Sequence, residues 1–432
     1  MGLIFNIALA VFAGTGSFLF GYDSGVMTIV IQSPNFLAFF DTDKTSPIIG
    51  AINATFSGGA FFGLITGLTQ QMIGVGFIVS TWVGYGASKV PATNSFSWRF
   101  PLAFQCLPCL IIICGMLFFP ESPRYLVEID RADDALKVLR KLHYNGSNDD
   151  WIQSEFNEIK LTIDAEKAIT APGWKVMFTV PVWRKRLMHA TLVQVFTQMT
   201  GINVIGYYST ILYENLGIVG DRNLLVTSIY NIVGPVFNLF FIVFLLDRVG
   251  RKKPLLFGTI GISIALICEA IIGSQVEGAT GSRRDSLSAA GVFFLFLVSC
   301  IFSMSFGPIS WVYASEILPL SIRGRGSAFA TGFGNWLVGT VWSQVSPIGL
   351  GEITYKFYFI FVAFNLCVTF PTIWFVFKET KQLTLEEIDL LFGDRALGTL
   401  PDNLDDKQRI IELERIDAAK KKLAGNQVTA VH

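Results

Sequence analysis

Apolar residues occur along the chain in long blocks that short polar segments separate. At about 20 residues, each block is long enough for a helix to cross the hydrocarbon core of a bilayer. The pattern therefore predicts ten transmembrane helices, four before a long polar segment at 120–186 and six after it. The predicted spans are 5–31, 48–67, 70–87, 100–119, 187–216, 224–246, 254–273, 291–318, 327–347 and 357–377.

The composition supports a polytopic membrane protein, since 52% of the 432 residues are apolar and only 15% are charged. A formal net charge of zero gives no electrostatic reason to expect nucleic-acid binding. The six cysteines all lie in apolar blocks, where packing is their ordinary role. The sequence thus predicts an all-α membrane protein that is not an enzyme, and we expect no catalytic residue, metal or cofactor.

Lys and Arg are concentrated in the long polar segment and in the loops near 248–253 and 323–325. Because basic loops stay on the cytoplasmic side, both termini are expected in the cytoplasm. Apolar stripes predict short helices within the polar segment, and Thr384 with Glu387 forms a capping box for a last helix. The expected divisions are an amino-terminal half at 1–119, a cytoplasmic loop at 120–186, a carboxy-terminal half at 187–378 and a cytoplasmic tail at 379–432.

The span at 187–216 contains the densest set of polar side chains. Gln194, Gln198, Asn203 and Tyr207 are spaced so that they share roughly one helical face. Amides donate and accept hydrogen bonds at once, which suits a neutral polyhydroxylated ligand, whereas a carboxylate or phosphate would call for Arg or Lys. The alternative is that these amides bond neighbouring helices to one another, as Asn and Gln commonly do in membranes.

Two later spans add polar or aromatic candidates. Gly307 and Pro308 interrupt the span at 291–318, where a transmembrane helix can bend. Trp311 follows, and its flat ring suits stacking against a sugar, although packing or anchoring at the interface is the alternative. Asn335 supplies a further intramembrane amide.

With these motifs the chain resembles a sugar porter of the major facilitator superfamily, of the kind common in fungi. The resemblance covers about 5–393. The matching motifs are Gly21-Tyr22-Asp23, Pro120 to Leu126, Gln194 to Tyr208, Asp247 to Lys253, Gly307 to Trp311, Glu316 with Arg323-Gly324-Arg325, and Glu379-Thr380-Lys381.

The resemblance implies a site and a gate. In addition to the amides above, Trp311 and Asn335 would contact the sugar from the carboxy-terminal half and Gln70 from the amino-terminal half. Charged residues at cytoplasmic helix ends would hold the outward-facing state and separate when the inner gate opens. The gate residues are Glu121, Arg124, Asp247, Arg251, Glu316 and Arg323. The alternative is that these charges only set the topology.

The chain also departs from the family pattern. Relatives have a basic Asp-Arg-x-Gly loop and two further spans after the second span, whereas here Gly67 leads directly to the span that begins at Gln70. Two of the usual twelve helices are therefore expected to be missing, which leaves four in the first half and six in the second. Losing an even number preserves the orientation of everything downstream.

The resemblance makes Asp23 the candidate proton-coupling residue. The Arg that stabilises its ionised form in proton-coupled relatives belongs to a missing helix, so the neutral acid is favoured here. The predicted function is transport of a hexose-like monosaccharide by alternating access, coupled to protons in complete relatives. Alternatives are a glycerol or polyol transporter, a transporter-like sugar sensor, and an inactive splice or gene-model product. The expected partners are a neutral sugar or polyol, protons and lipid, for a multi-pass monomer of the plasma membrane.

Overall fold

A computed structural model gives the structure of most of the chain. It describes four positions of the first predicted span and then residues 68–91, 95–118, 120–144, 149–169, 174–276, 278–319, 322–381, 383 and 385–393. Within these residues the secondary structure is entirely helical. The predicted span at 48–67 and the tail beyond Gly393 lie outside them, so the number of transmembrane helices stays a prediction.

The amino-terminal part contains α1 (Leu68–Ala87), α2 (Phe96–Phe104) and α3 (Cys106–Met116). The four described positions of the first span, Thr15, Phe18, Tyr22 and Val26, are helical and share one face by their spacing. Tyr22 is fully buried. Its hydroxyl donates to the carbonyl of Pro101 at 3.0 Å, which joins the first span to α2.

The polar segment folds into the expected short helices, α4 (Pro123–Glu128), α5 (Ala132–His143), α6 (Asp149–Ile169) and α7 (Val176–Thr179). The first three form a small apolar cluster of their own, to which α5 contributes the apolar face of an amphipathic helix, whereas Met177 of α7 packs in the main core of the bundle. Ala135 of α5 packs in this cluster with Leu126 and Val127 of α4 and with Ile163 of α6.

The carboxy-terminal part is a bundle of long helices with several breaks. Its α-helices are α8 (Pro181–Met199), α9 (Ile202–Asn215), α10 (Asp221–Phe244), α11 (Leu246–Val249), α12 (Lys252–Val276), α13 (Ser282–Ser303), α14 (Phe306–Ile317), α15 (Arg323–Phe329), α16 (Val338–Glu352), α17 (Tyr358–Phe364), α18 (Phe370–Phe375) and α19 (Leu385–Phe392). A 3-10 turn (Thr354–Phe357) and two π-helical segments (Ala330–Leu337 and Asn365–Thr369) lie between them.

The breaks fall where the sequence carries Gly or Pro. Between α8 and α9, Gly201 has a φ of +80°, a conformation that glycine adopts without steric cost. Between α13 and α14, the chain breaks at Met304 and Ser305, because Pro308 has no N–H and its ring clashes with the carbonyl four residues earlier. The expected interruption of the span at 291–318 is therefore present.

The helix α1 joins the two parts of the molecule by packing along α10. A Cβ on Gly74 would lie 2.6 Å from the Pro235 side chain, so the two helices approach closely only because this residue is glycine. At the far end, the Lys89 ammonium lies 2.5 Å from the Asp221 carboxylate.

Five helical segments of the described residues are long and apolar enough to cross a membrane. They are Phe96–Met116, Asp221–Phe244, Lys252–Val276, Ser282–Ile317 and Thr354–Phe375. Each corresponds to a span predicted from the sequence.

Candidate functional site

The polar face of α8 and α9 meets the π-helical segment Ala330–Leu337 inside the bundle. There, four amide side chains form one directed chain of hydrogen bonds. Asn203 donates to Gln198 at 2.6 Å, Gln198 donates to Asn335, and Asn335 donates to Gln194 at 2.9 Å. Gln194 then donates to the backbone carbonyl of Ser310 on α14 at 3.2 Å. We call these four side chains the amide chain.

The π-helical segment brings Asn335 into the amide chain because glycines let it approach α8 closely. A Cβ on Gly334 would lie 2.6 Å from the backbone oxygen of Thr191 and 2.7 Å from the Cβ of Gln194. The wider π turn displaces the helix backbone locally, as is frequent at functional sites. Asn335 is therefore held between the two glutamines of α8.

The amide chain is almost entirely removed from solvent. Gln194 is 0%, Gln198 3% and Asn335 6% exposed, while Asn203 is half-buried. Each amide nitrogen donates one of its two N–H groups to another amide or, for Gln194, to the Ser310 carbonyl. Among the described residues, the second N–H of each has no acceptor and remains for a ligand. The amides therefore bond neighbouring helices to one another, as the alternative interpretation of the sequence predicted. Within the described residues they also retain amide N–H groups that could donate to a ligand.

The other predicted ligand contacts lie beside this chain or beyond what is described. Tyr207 is buried on α9, and Trp311 is half-buried on α14 directly after Ser310. Gln70 lies in the first turn of α1, but its side chain is outside the described part of the molecule. Tyr208, the residue after Tyr207, anchors α9 to α16, since its hydroxyl donates to the Ser343 carbonyl at 2.7 Å.

A second polar cluster lies at the beginning of α12. The Arg251 guanidinium contacts the Glu316 carboxylate through two bonds, at 2.7 Å from Nη2 to Oε1 and 3.2 Å from Nε to Oε2. The Thr380 hydroxyl donates to the same carboxylate at 2.7 Å. The structure thus brings together two of the predicted gate residues.

Glu379 belongs to this cluster as well, although it was predicted only as part of the motif Glu379-Thr380-Lys381. Its carboxylate accepts from the backbone N–H groups of Arg251 at 2.9 Å and Lys252 at 3.0 Å, and from those of Thr380 and Lys381, both at 3.0 Å. The turn before Arg251 permits this contact, since Gly250 has a φ of +89° and a Cβ there would meet the carboxylate at 2.9 Å.

The remaining gate residues are less closely placed. Arg323 donates from Nε to the Leu318 carbonyl at 3.1 Å, and Glu121 is exposed after α3. The side chains of Arg124 and Asp247, like Asp23 as a whole, are not among the described parts of the structure.

The last helix, α19, packs beneath α8 through Phe392. The Phe392 ring lies 5.4 Å from the His189 ring, edge to face, and 5.2 Å from the Lys378 ammonium. Lys378 also donates to the Leu391 carbonyl at 2.6 Å. Burial lowers the pKa of Lys378, and the nearby Lys185 lowers it further. The helix expected after the capping box is present, although Thr384 itself is not described.

Comparisons with known proteins show the family to which the chain belongs. The family model described as "Sugar (and other) transporter" matches residues 60–392. The chain belongs to this family. The "MFS-type transporter criB" of Aspergillus cristatus is 32% identical, over 93% of this chain and 97% of that protein.

Two further relatives differ in the ligand they are named for. The "Low-affinity glucose transporter HXT3" of Saccharomyces cerevisiae is 31% identical over 78% of this chain, and a "Probable quinate permease" of Aspergillus niger is 30% identical over 77%. The matches span 59% and 63% of the lengths of those two proteins. The chain thus spans less than two thirds of each.

A solved structure confirms the fold. The inward-open form of the xylose transporter XylE from E. coli has a TM-score of 0.66 at 21% sequence identity, with 89% of this chain and 99% of that chain covered. This member of the sugar transporter family is therefore an all-α, multi-pass membrane protein with the major facilitator fold, and a transporter rather than an enzyme, as the sequence predicted.

The match with the Aspergillus cristatus relative also bears on the prediction that two helices are missing. It extends over 480 positions, whereas the whole chain has 432 residues. At least 48 aligned positions of the relative therefore have no counterpart in this chain, which agrees with the loss of an internal segment.

Proposed function

We propose that the amide chain binds a neutral, hexose-like monosaccharide, which the complete fold carries across the membrane by alternating access. The observation that supports this most strongly is the set of N–H groups that Gln194, Gln198, Asn203 and Asn335 leave unused. Sugar hydroxyls both donate and accept hydrogen bonds, so they can pair with the N–H groups and with the carbonyl oxygens of amides. Tyr207, Trp311 and Gln70 would complete the site.

The charge of the site favours a neutral ligand over an acid such as quinate. Among the described residues, every hydrogen bond of the amide chain joins amides to one another or to a backbone carbonyl, and none involves Arg or Lys. A carboxylate ligand buried there would lack the cationic partner that such ligands require. A polyol such as glycerol meets the same chemical requirement as a sugar, so binding assays must separate the two.

The cluster of Arg251, Glu316 and Glu379 supports the second part of the proposal, an inner gate. It joins the start of α12, the end of α14 and the segment after α18. We propose that the cluster holds the outward-facing state, with Asp247, Arg323, Glu121 and Arg124 contributing, and that it separates when the inner gate opens. Ion-pair energy depends steeply on distance, which suits a switch.

The topology completes the proposal. We assign the half-domain boundaries at 119, 186 and 378, place both termini in the cytoplasm, and expect a monomer in the plasma membrane. The basic residues near 248–253 and 323–325 support this orientation. Asp23 is proposed as the proton-coupling residue of the complete fold.

Equilibrium binding with the purified chain tests the ligand class. Radiolabelled glucose is displaced by unlabelled glucose, xylose, glycerol or quinate in parallel titrations. We expect displacement by the sugars and none by quinate. Displacement by glycerol alone would support the polyol alternative, and displacement by quinate would contradict a neutral-ligand site.

A further inference from the structure

One acidic side chain lies deep in the bundle and takes no part in the site or the gate. Glu269 is in α12 and is 2% exposed. It follows Lys252 by 17 residues, which places it about 25 Å along the helix from the Arg251–Glu316 pair at 1.5 Å per residue. An ionised carboxylate at such a position is costly without partners, and buried intramembrane acids are functional candidates for that reason.

The side chains around Glu269 come from three other helices. A Cβ on Gly291 of α13 would lie only 3.3 Å from Oε2 of Glu269 and would also contact Leu216 at the end of α9. Tyr213 of α9 and Tyr358 of α17 are buried in the same apolar core as Leu216. The carboxyl group therefore lies in a buried compartment between α12, α13 and the end of α9, within a core that also contains two phenols.

Two polar atoms of this compartment have no hydrogen-bond partner. Among the described residues, neither Oε2 of Glu269 nor the hydroxyl of Tyr213 makes a hydrogen bond, and both are buried. Native structures rarely leave such atoms unsatisfied. An unsatisfied carboxylate oxygen and an unsatisfied hydroxyl in one buried core therefore call for an explanation, and a proton on the carboxyl group removes the cost of burying its charge.

The charged groups on the surrounding elements do not supply a counter-charge. Arg284 at the start of α13, Glu352 at the end of α16 and Lys356 in the 3-10 turn are all exposed. Glu214 on α9, next to Tyr213, is half-buried and carries a charge of the same sign as an ionised Glu269. The compartment therefore suits a neutral acid and lacks the several charged or carbonyl oxygens that a metal cation prefers.

We propose that Glu269, with Tyr213 and Tyr358, forms a proton-binding site at the end of the bundle opposite the Arg251–Glu316 pair. The proton is held on the carboxyl group and exchanges with the medium on that side. This site is separate from the amide chain and needs no sugar for its occupancy.

The position of Tyr213 connects this proton to the amide chain. Tyr213 lies in the last turns of α9, and Asn203 and Tyr207 lie in its first turns, after the break at Gly201. The neutral carboxyl group can bond the Tyr213 hydroxyl and keep α9 packed on α12. The ionised group needs water and further donors, so its formation loosens α9, and proton occupancy biases the helix that carries the sugar contacts.

Infrared difference spectroscopy on the full chain in lipid tests the proposal without requiring transport. The carbonyl stretching band of a protonated carboxylic acid is followed while the medium is made alkaline and returned. The chain carries Asp23→Asn in all samples, because a neutral acid is also expected at Asp23. In that background we expect a band that disappears reversibly, is lost in Glu269→Gln, and persists in the control Glu352→Gln, which changes an exposed glutamate. A band that survives in Glu269→Gln, or one that never responds to pH, would overturn the proposal.

Tyr213→Phe provides a second readout that keeps the carboxyl group. It removes the neighbouring hydroxyl, so the frequency of the carbonyl band is expected to shift while the band itself remains. An unchanged frequency would contradict the assignment of Tyr213 to the site. Loss of the band on adding Na⁺ at constant pH would show that the compartment takes a metal cation, and this too would overturn the proton assignment.

Discussion

Arg251 and Glu316 form a two-point ion pair that joins the beginning of α12 to the end of α14, with N–O distances of 2.7 and 3.2 Å. The pair is sheltered, since the two side chains are 9% and 24% exposed. Bidentate Arg–carboxylate pairs are strong and geometrically specific. Thr380 adds a third helix end to the same carboxylate, so separating these elements requires breaking several bonds at once.

Reversing the charge at Glu316 should therefore open the inner end of the carboxy-terminal half. In Glu316→Lys, repulsion from Arg251 replaces the ion pair, and a single cysteine placed at Ser315 in a cysteine-free background should react severalfold faster with a polar maleimide. The matched control is Glu352→Lys, which reverses an exposed glutamate at the other end of the bundle. Equal labelling rates in all three proteins would leave these charges with only a role in topology.

Close packing at Gly334, beside Gln194 of the amide chain, predicts that a larger residue there destabilises the protein. A methyl group there would lie 2.6 Å from a backbone oxygen of α8, which cannot move aside as a flexible side chain does. Gly334→Ala should therefore destabilise the protein by about 1 to 3 kcal/mol, the usual cost of overpacking. Thermal unfolding in detergent measures this.

The control for Gly334→Ala is Gly324→Ala, because a Cβ at Gly324 has no atom within 4 Å. Its melting temperature should stay at or above that of the parent chain, since alanine favours helix. If both variants melt alike, the close approach of the π-helical segment to α8 does not hold in solution.

Several helices could be predicted from the sequence because the length of an apolar stretch is enough to identify a transmembrane span. The span predicted at 224–246 is observed as Asp221–Phe244, and the one at 254–273 as Lys252–Val276. The break at Pro308 was also predictable, since a missing N–H acts locally. By contrast, the span predicted at 187–216 is two helices, since Gly201 between them has a φ of +80°. A single glycine within an apolar block does not by itself show that the helix breaks there.

The residues of the site could be predicted from the sequence, but the hydrogen bonds between them could not. Helical spacing placed Gln194, Gln198 and Asn203 on one face, and the family resemblance added Asn335. The directed chain of donors depends on the π-helical segment, and sequence periodicity carries no signal for it. The role of Glu379 was missed for a similar reason, since two of its partners are backbone N–H groups of a turn more than 120 residues away.

The apparent loss of two helices predicts a failure of coupling. An amino-terminal half of four spans would not enclose the cavity that six line, and the family resemblance implies that the Arg which stabilises the charge of Asp23 belongs to a missing helix. In transporter-null cells, uptake of radiolabelled hexose by this chain should never become concentrative, with or without a protonophore. A version with the two helices restored from a relative should recover it.

Protonophore-sensitive accumulation by the unrestored chain would contradict that expectation. It would mean that an acid other than Asp23 couples the proton, and the buried Glu269 is the first to test. The Glu269→Gln variant of the unrestored chain would then lose accumulation if that carboxyl group were responsible.

Gln198 is the centre of the proposed sugar site, because this side chain bonds both Asn203 and Asn335. Gln198→Ala removes the acceptor of the Asn203 amide, the donor to the Asn335 carbonyl oxygen and the partner of the ligand hydroxyls, while Asn335 keeps its bond to Gln194. Binding should therefore weaken by about 1 to 3 kcal/mol. Equilibrium binding of radiolabelled glucose to the purified chain measures this, with Asn157→Ala, an exposed amide of α6, as the control. We predict a dissociation constant raised about five- to 150-fold in Gln198→Ala and unchanged in Asn157→Ala, whereas equal affinity in both variants would contradict the assignment.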